Sequence, residues 1–351
     1  MSSFVVRSSV ADYEIYVARG ALDDALAEPF AAAVIDERFV TDVEWPALAL
    51  VPIKAAEDRK TLASCEELIV ALRQLGVARG ETVLAVGGGL VQDLVTLTAS
   101  LYMRGIPWCY APTTLMAMVD SCVGGKSSIN VGGHKNLVGN IYPPRSVYVD
   151  TGFIDGLDPI QVACGLCEAV KIAYCGGAGA FKTFLDLYSN DWLAGRRESL
   201  VESTLLTKRR FIEADEFDRG ERRLLNFGHT FGHALESATK FGIPHGVAVG
   251  VGMIAAVQLA EAIDSASDEA AALKAYCLEL LAPLGLGRAA CDFDRERFEQ
   301  ALLADKKHNR TELRLIVPVP DGGVAEQSFT RNAESMAVLQ SAMDQAWELL
   351  R

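Results

Sequence analysis

The feature that most limits the fold is a short apolar run ending in three consecutive glycines. Residues 82–86 (TVLAV) read as a buried strand, Gly87-Gly88-Gly89 as a tight turn, and residues 90–103 as the helix that follows. Strand, turn and helix in that order form the unit from which parallel sheets are wound. Neighbouring segments repeat the texture. Residues 31–35 and 47–51 read as strands, and residues 108–111 as another. Residues 61–75 place Leu62, Leu68, Ile69, Leu72 and Leu75 on one helical face. Residues 1–152 are therefore expected to form an α/β, doubly wound, Rossmann-like parallel-sheet domain.

Beyond residue 152 helical periodicity takes over, at 160–174, 179–188, 198–214, 226–239, 247–263, 268–281 and 333–350. A single later strand is read at 313–319. The expected second domain is residues 153–351, mostly α-helical. The boundary falls near 149–153, past the turn Tyr142-Pro143-Pro144.

Charge narrows the function classes. The chain has 351 residues, with 33 Lys+Arg against 46 Asp+Glu and a net charge of −13. That excludes a general nucleic-acid binder, which needs a basic face to neutralise phosphates. Lys126, Lys135, Lys171, Lys208, Arg222 and the pair Lys306-Lys307 nevertheless sit beside glycines or inside apolar stretches. They read either as an anion-gathering set or as solvated lysines with snorkelling stems. The first residues carry no basic segment followed by an apolar one, so no signal peptide is read. The apolar stretch 246–260 is shorter than the roughly 20 residues that span a bilayer. Eight cysteines are scattered, with one CxxC pair, Cys164 and Cys167, and no second. They are expected to be buried thiols in a cytoplasmic protein.

The glycine turn fits a phosphate cradle, because bare backbone N–H groups and a helix N-terminus both favour an anion. It fits a tight strand-to-helix turn equally. Gln92 stands where the dinucleotide fingerprint GxGxxG has its last glycine. Asp36, after the first strand, suits either a ribose hydroxyl or a helix cap. Among five histidines, His229 and His233 share a helical face at i and i+4, and His245 follows. Glu168 interrupts an apolar helix. Two imidazoles and one carboxylate make a common catalytic zinc set. Spacing alone would pair His229 with His233; core or capping histidines are the plainer alternative.

Taken together the motifs resemble those of the 3-dehydroquinate synthase family, the sugar phosphate cyclases. The matching stretches are GGGLVQD (87–93), YMRG (102–105), PTTL (112–115), VDSCVGGK (119–126), KNLVG (135–139), GLCEAVK (165–171), LLNFGHTFGHALE (224–236), His245-Gly246 and DKK (305–307). They run in family order over about residues 30–310. The resemblance implies a Zn or Co ion held by Glu168, His229 and His245, which moves His233 from the metal to the substrate phosphate. It implies NAD along Asp36, Glu57, Lys60, Gly88, Gly89, Asp93, Thr113, Thr114, Lys135 and Phe153. Arg222, Lys126 and Asn226 would hold a substrate carboxylate. Arg104 (from the neighbouring subunit of a homodimer), Asn136, His233 and Lys307 would hold the phosphate. Asp120, Lys135, Lys171, Lys208 and Asp218 would surround the hydroxyls. The implied reaction turns 3-deoxy-D-arabino-heptulosonate 7-phosphate into 3-dehydroquinate and phosphate, a shikimate-pathway step toward aromatic amino acids. It proceeds by transient oxidation, β-elimination, reduction and aldol closure. A specialised cyclase acting on an amino analogue or on sedoheptulose 7-phosphate is the first alternative, and a glycerol dehydrogenase-like oxidoreductase the second.

Four positions depart from the family pattern. Val247 stands where a glutamate is usual, removing a carboxylate expected to support the metal ligands. Asp218 replaces a glutamate, Gln92 a glycine, and the loop Val131-Gly132-Gly133-His134 lacks the usual proline.

Overall fold

The structure, a computed structural model, describes residues 1–132, 134–189, 192–286, 292–305 and 307–350. The chain divides into two compact units, Met1–Leu157 with Asp191–Phe217, and Asp158–Asn190 with Asp218–Arg351.

The first unit is wound around a seven-stranded sheet. Its elements begin with β1 (Ser2–Val6), β2 (Tyr13–Ala18), α1 (Ala21–Leu26), β3 (Ala32–Asp36), β4 (Leu50–Ile53) and α2 (Leu62–Gln74). They continue with β5 (Val83–Gly87), α3 (Gly89–Leu101), β6 (Trp108–Pro112), β7 (Ile129–Val131), β8 (His134–Val138) and β9 (Ser146–Asp150). The sheet order is β1-β2-β9-β6-β5-β3-β4, parallel except for the antiparallel edge pair β1 and β2. Every residue of β3, β5 and β6 is buried, as expected of strands covered on both faces. Strands β7 and β8 form a separate small hairpin.

Two helices of the second unit follow, α4 (Pro159–Cys175) and α5 (Ala178–Tyr188). The chain then contributes α6 (Trp192–Gly195) and α7 (Arg197–Ala214) to the first unit. The sequence assigned this stretch to the helical half. Its buried face, with Leu200, Val201, Leu205 and Lys208, packs instead on β1, β2 and the helical turn Ala117–Ser121.

The rest of the second unit comprises α8 (His229–Ala238), α9 (His245–Ala262), α10 (Asp268–Leu281), α11 (Arg295–Leu303), the hairpin of β10 (Glu312–Pro318) and β11 (Val324–Thr330), and α12 (Ala333–Glu348). By length and composition α9 could cross a membrane, yet 78 % of it is buried, packed by α4, α8, α10 and α12. It is the core helix of this unit. The described cysteines, including Cys164 and Cys167, are buried free thiols; Cys291 lies outside the described residues.

Candidate functional site

Helices α4, α8 and α9 meet through small residues. A Cβ on Gly246 would stand 2.4 Å from the Cys164 carbonyl oxygen, and one on Gly252 only 2.1 Å from that of Gly228. The helices therefore approach at backbone distance. Gly228 has φ +75°, a conformation open to glycine, and it starts α8 at His229 rather than at the expected 226. His229 and His245 thus become the first residues of their helices, both facing Glu168 in mid-α4.

Glu168 Oε1 lies 3.8 Å from His229 Nε2 and 3.5 Å from His245 Nε2. Two atoms bound to one tetrahedral ion at about 2 Å each would be about 3.4 Å apart, so this donor set suits a metal. His233 joins the group: its ring centroid is 5.3 Å from that of His229 and 5.5 Å from that of His245. One ligand atom from each of the three imidazoles falls within 4.8 Å of the others. The other ring nitrogens are engaged behind, His229 Nδ1 by the Phe227 carbonyl at 3.2 Å and His245 Nδ1 by Glu236 Oε2 at 3.1 Å.

The electrostatics follow from burial and pairing. Burial alone would raise the Glu168 carboxyl, but Lys171 and His245 hold it below the usual range. Lys171, itself buried, donates to Glu168 Oε2. Burial pushes His229 well below its ordinary value. For His245 burial acts downward too, but Glu168 and Glu236 outweigh it and raise the ring to about 10.

The anion-gathering residues of this unit lie on elements that pack beside these helices. Lys307 Nζ donates to Asp305 Oδ2 at 3.0 Å and to Thr230 Oγ1 at 3.1 Å, one residue from His229. Lys306 lies outside the described residues. Arg222 is buried in the turn Glu221–Asn226, whose last residue, Asn226, donates to the Arg223 carbonyl at 2.9 Å. Asp218 sits on left-handed backbone at φ +59°.

In the first unit, Gly88 caps α3 without a side chain, so no side-chain cap takes up the helix's first N–H groups. A Cβ there would meet Thr114 Cγ2 at 3.0 Å; Thr113 donates its N–H to Gly87. Lys60 bridges Asp93 Oδ2 at 2.6 Å and Asn136 Oδ1 at 2.8 Å, tying α3 to β8. Glu57 Oε1 accepts from Asn130 Nδ2 at 2.8 Å and stands 3.9 Å from Lys135 Nζ. Asp36 caps the turn Glu37–Phe39 and pairs with Arg38 at 2.6 Å, so it holds a structural role as it stands. Phe153 packs edge-on against Phe39. Lys208 pairs with Asp120, and Gln92 exchanges two 2.7 Å hydrogen bonds with Ser121 beside it. Arg104 is exposed on left-handed backbone, and Lys126 is exposed just beyond Gly124-Gly125.

Sequence reasoning missed Glu236, Thr230 and Asp305 as supporting residues. Glu236 was readable as the third member, at i+7, of the helical stripe begun by His229 and His233; Asp305 carried no periodic signal.

Comparisons with known proteins agree across the chain. Residues 50–164 match the family model for the 3-dehydroquinate synthase N-terminal domain, and residues 165–308 that for its C-terminal domain. The 3-dehydroquinate synthase of Dehalococcoides mccartyi strain CBDB1 is 37 % identical over 266 residues, 74 % of this chain and 72 % of that one. That of Enterococcus faecalis strain OG1RF is 33 % identical, covering 87 % and 89 %. Two solved structures share the fold at 24 % identity. 2-Deoxy-scyllo-inosose synthase, complexed with carbaglucose-6-phosphate, NAD+ and Co2+, has a TM-score of 0.81 and covers 98 % of this chain and 99 % of its own. 2-Epi-5-epi-valiolone synthase from Streptomyces hygroscopicus subsp. jinggangensis 5008, with NAD+ and Zn2+, has a TM-score of 0.77 over 98 % and 99 %. With both family models matched in order and relatives above 30 % identity along most of its length, this chain belongs to the 3-dehydroquinate synthase family.

Proposed function

We propose that the chain converts 3-deoxy-D-arabino-heptulosonate 7-phosphate to 3-dehydroquinate and phosphate, using NAD+ and a divalent metal. The observation that carries this reading is the convergence of His229 Nε2 and His245 Nε2 on Glu168 Oε1, with Lys307 anchored on the same helix that bears His229 and His233. Relatives named 3-dehydroquinate synthase support the substrate, and so does the presence together of Arg222, Lys126, Asn226 and His233, which suit a carboxylated sugar phosphate.

When bound, the dinucleotide would take and return a hydride while the metal polarises substrate oxygens. Glu168, His229 and His245 would hold the metal. Asp36, Glu57, Lys60, Gly88, Gly89, Asp93, Thr113, Thr114, Lys135 and Phe153 would bind the dinucleotide, Asp36 by exchanging its Arg38 contact for a ribose hydroxyl. Arg222, Lys126 and Asn226 would fix the substrate carboxylate and so the ring's orientation. His233, Asn136, Lys307 and Arg104 of a neighbouring copy would hold the phosphate and stabilise its charge as it leaves. The ammonium groups of Lys135, Lys171 and Lys208, with Asp120 and Asp218, would orient the hydroxyls. The Lys208–Asp120 pair keeps one of these ammonium groups at a fixed position.

Phosphate release from that substrate tests the reading, with NAD+ and Zn2+ or Co2+ present. Release is expected without net NADH, and is lost with a chelator or in Lys126→Ala. Sedoheptulose 7-phosphate and the amino analogue run in parallel, because the buried Val247 departs from the family pattern near the metal residues. Turnover of one of those alone would make the chain a specialised cyclase. Net NADH from glycerol would make it a dehydrogenase.

A further inference from the structure

We infer that Glu236 is a positioning residue for the metal centre, orienting His245 and fixing its tautomer. The inference rests on the metal reading above and goes further, because it names the group that holds His245 where Val247 offers no carboxylate.

His245 is the least restrained of the three donors. It opens α9 behind Pro244 and its side chain is 36 % exposed, against 1 % for Glu168 and 13 % for His229. An imidazole at a helix start needs a partner behind it if its Nε2 is to point one way. Val247, fully buried, has no group to offer. Glu236 does: its Oε2 lies 3.1 Å from His245 Nδ1, and its own side chain is only 13 % exposed. Donation of Nδ1–H to that carboxylate turns Nε2 toward Glu168, where it would meet the metal, and makes the imidazole a stronger ligand. His229 is set the same way by the Phe227 carbonyl. The frame is stiff, since a Cβ on Gly232 of α8 would already stand 3.0 Å from the Ala248 carbonyl of α9. Glu236 therefore reaches His245 from a neighbouring helix whose distance is fixed by backbone contact.

The test is Zn2+ affinity of the metal-stripped protein, measured by competition with a chromophoric chelator. Glu236→Gln and Glu236→Ala are expected to bind about 10- to 100-fold more weakly than the wild type, with Glu236→Asp recovering part of the loss. The visible absorption of bound Co2+ should change in Glu236→Ala, and thermal melts of the stripped variants should match the wild type. Wild-type affinity and an unchanged Co2+ spectrum in both Glu236→Gln and Glu236→Ala would overturn the inference while leaving the metal reading intact. Equal affinity of the wild type and Glu168→Gln would instead overturn the metal reading, and this inference with it.

Discussion

The two candidate regions are built from different materials. At the end of β5 in the first unit the candidate site is backbone: Gly88 caps α3 without a side chain, and Lys60 ties Asp93 of α3 to Asn136 of β8. In the second unit the site is made of side chains on buried helices, whose close approach depends on glycines at the crossings. The contrast teaches where stability and function are coupled. A substitution at Gly88 or Gly89 alters what a ligand meets and leaves the sheet intact, whereas a Cβ on Gly87 would run into Val91 at 2.3 Å. A substitution at a helix crossing moves the histidines and the core together.

Gly252→Ala should break the second region most severely. The added Cβ would lie 2.1 Å from the Gly228 carbonyl oxygen and 2.8 Å from the Gly232 nitrogen, both backbone atoms that cannot rotate away. A loss of about 3 kcal/mol in denaturant unfolding is expected, at the upper end of overpacking effects. Zn2+ affinity should fall with it, because His229 follows Gly228. Full stability with normal metal binding would mean that the crossing does not hold the site.

In the first region the largest effect should be electrostatic. Burial lifts the Asp93 carboxyl to about 6, the nearby Lys60 offsetting only part of it. A carboxyl raised in the folded state favours folding while protonated, so its contribution is full below its ordinary value and is lost as pH rises through 6. Relative to Asp93→Asn, the wild type should lose about 1.5 kcal/mol between about pH 5 and about pH 7.5. Parallel unfolding curves at the two pH values check this, and a constant difference would refute it.

How much could be read beforehand follows the same division. Strands β3, β5 and β6 are buried on both faces, so they stand out as continuous apolar runs. Strands β1, β2 and β11 alternate with half-exposed positions, and β9 runs from just past the turn at 142–144 into the expected boundary at 149–153; none was read. Glu168, His229 and His245 are 77 positions apart from first to last, so no local period joins them. Spacing alone favoured His229 with His233, and only the family motifs pointed to His245. The structure brings all three imidazoles together, with Glu168 facing His229 and His245. The glycine crossings were invisible because a glycine's purpose lies in what approaches it. Glu236 shares the stripe of His229 and His233, but what it supports could not be read, because its partner His245 sits on another helix.

Gly88→Ala is the finest test of the contrast. Gly88 has φ −78°, which any residue adopts, and its added Cβ would meet the Thr114 side chain, the methyl at 3.0 Å and the hydroxyl oxygen at 3.5 Å. That side chain can yield, so unfolding free energy should change by less than about 1 kcal/mol. The methyl would nevertheless stand at the mouth of α3's N-terminus, where in the proposed NAD+ site a pyrophosphate would approach backbone N–H groups most closely. NAD+ affinity, followed by calorimetry, should then drop about tenfold, equivalent to about 1.4 kcal/mol. Loss of binding with the fold intact separates this region from the helix crossings, where both fall together. Unchanged NAD+ binding would mean that the three glycines serve the strand-to-helix turn alone, and that the dinucleotide is held by the Lys60–Asp93 side of the unit.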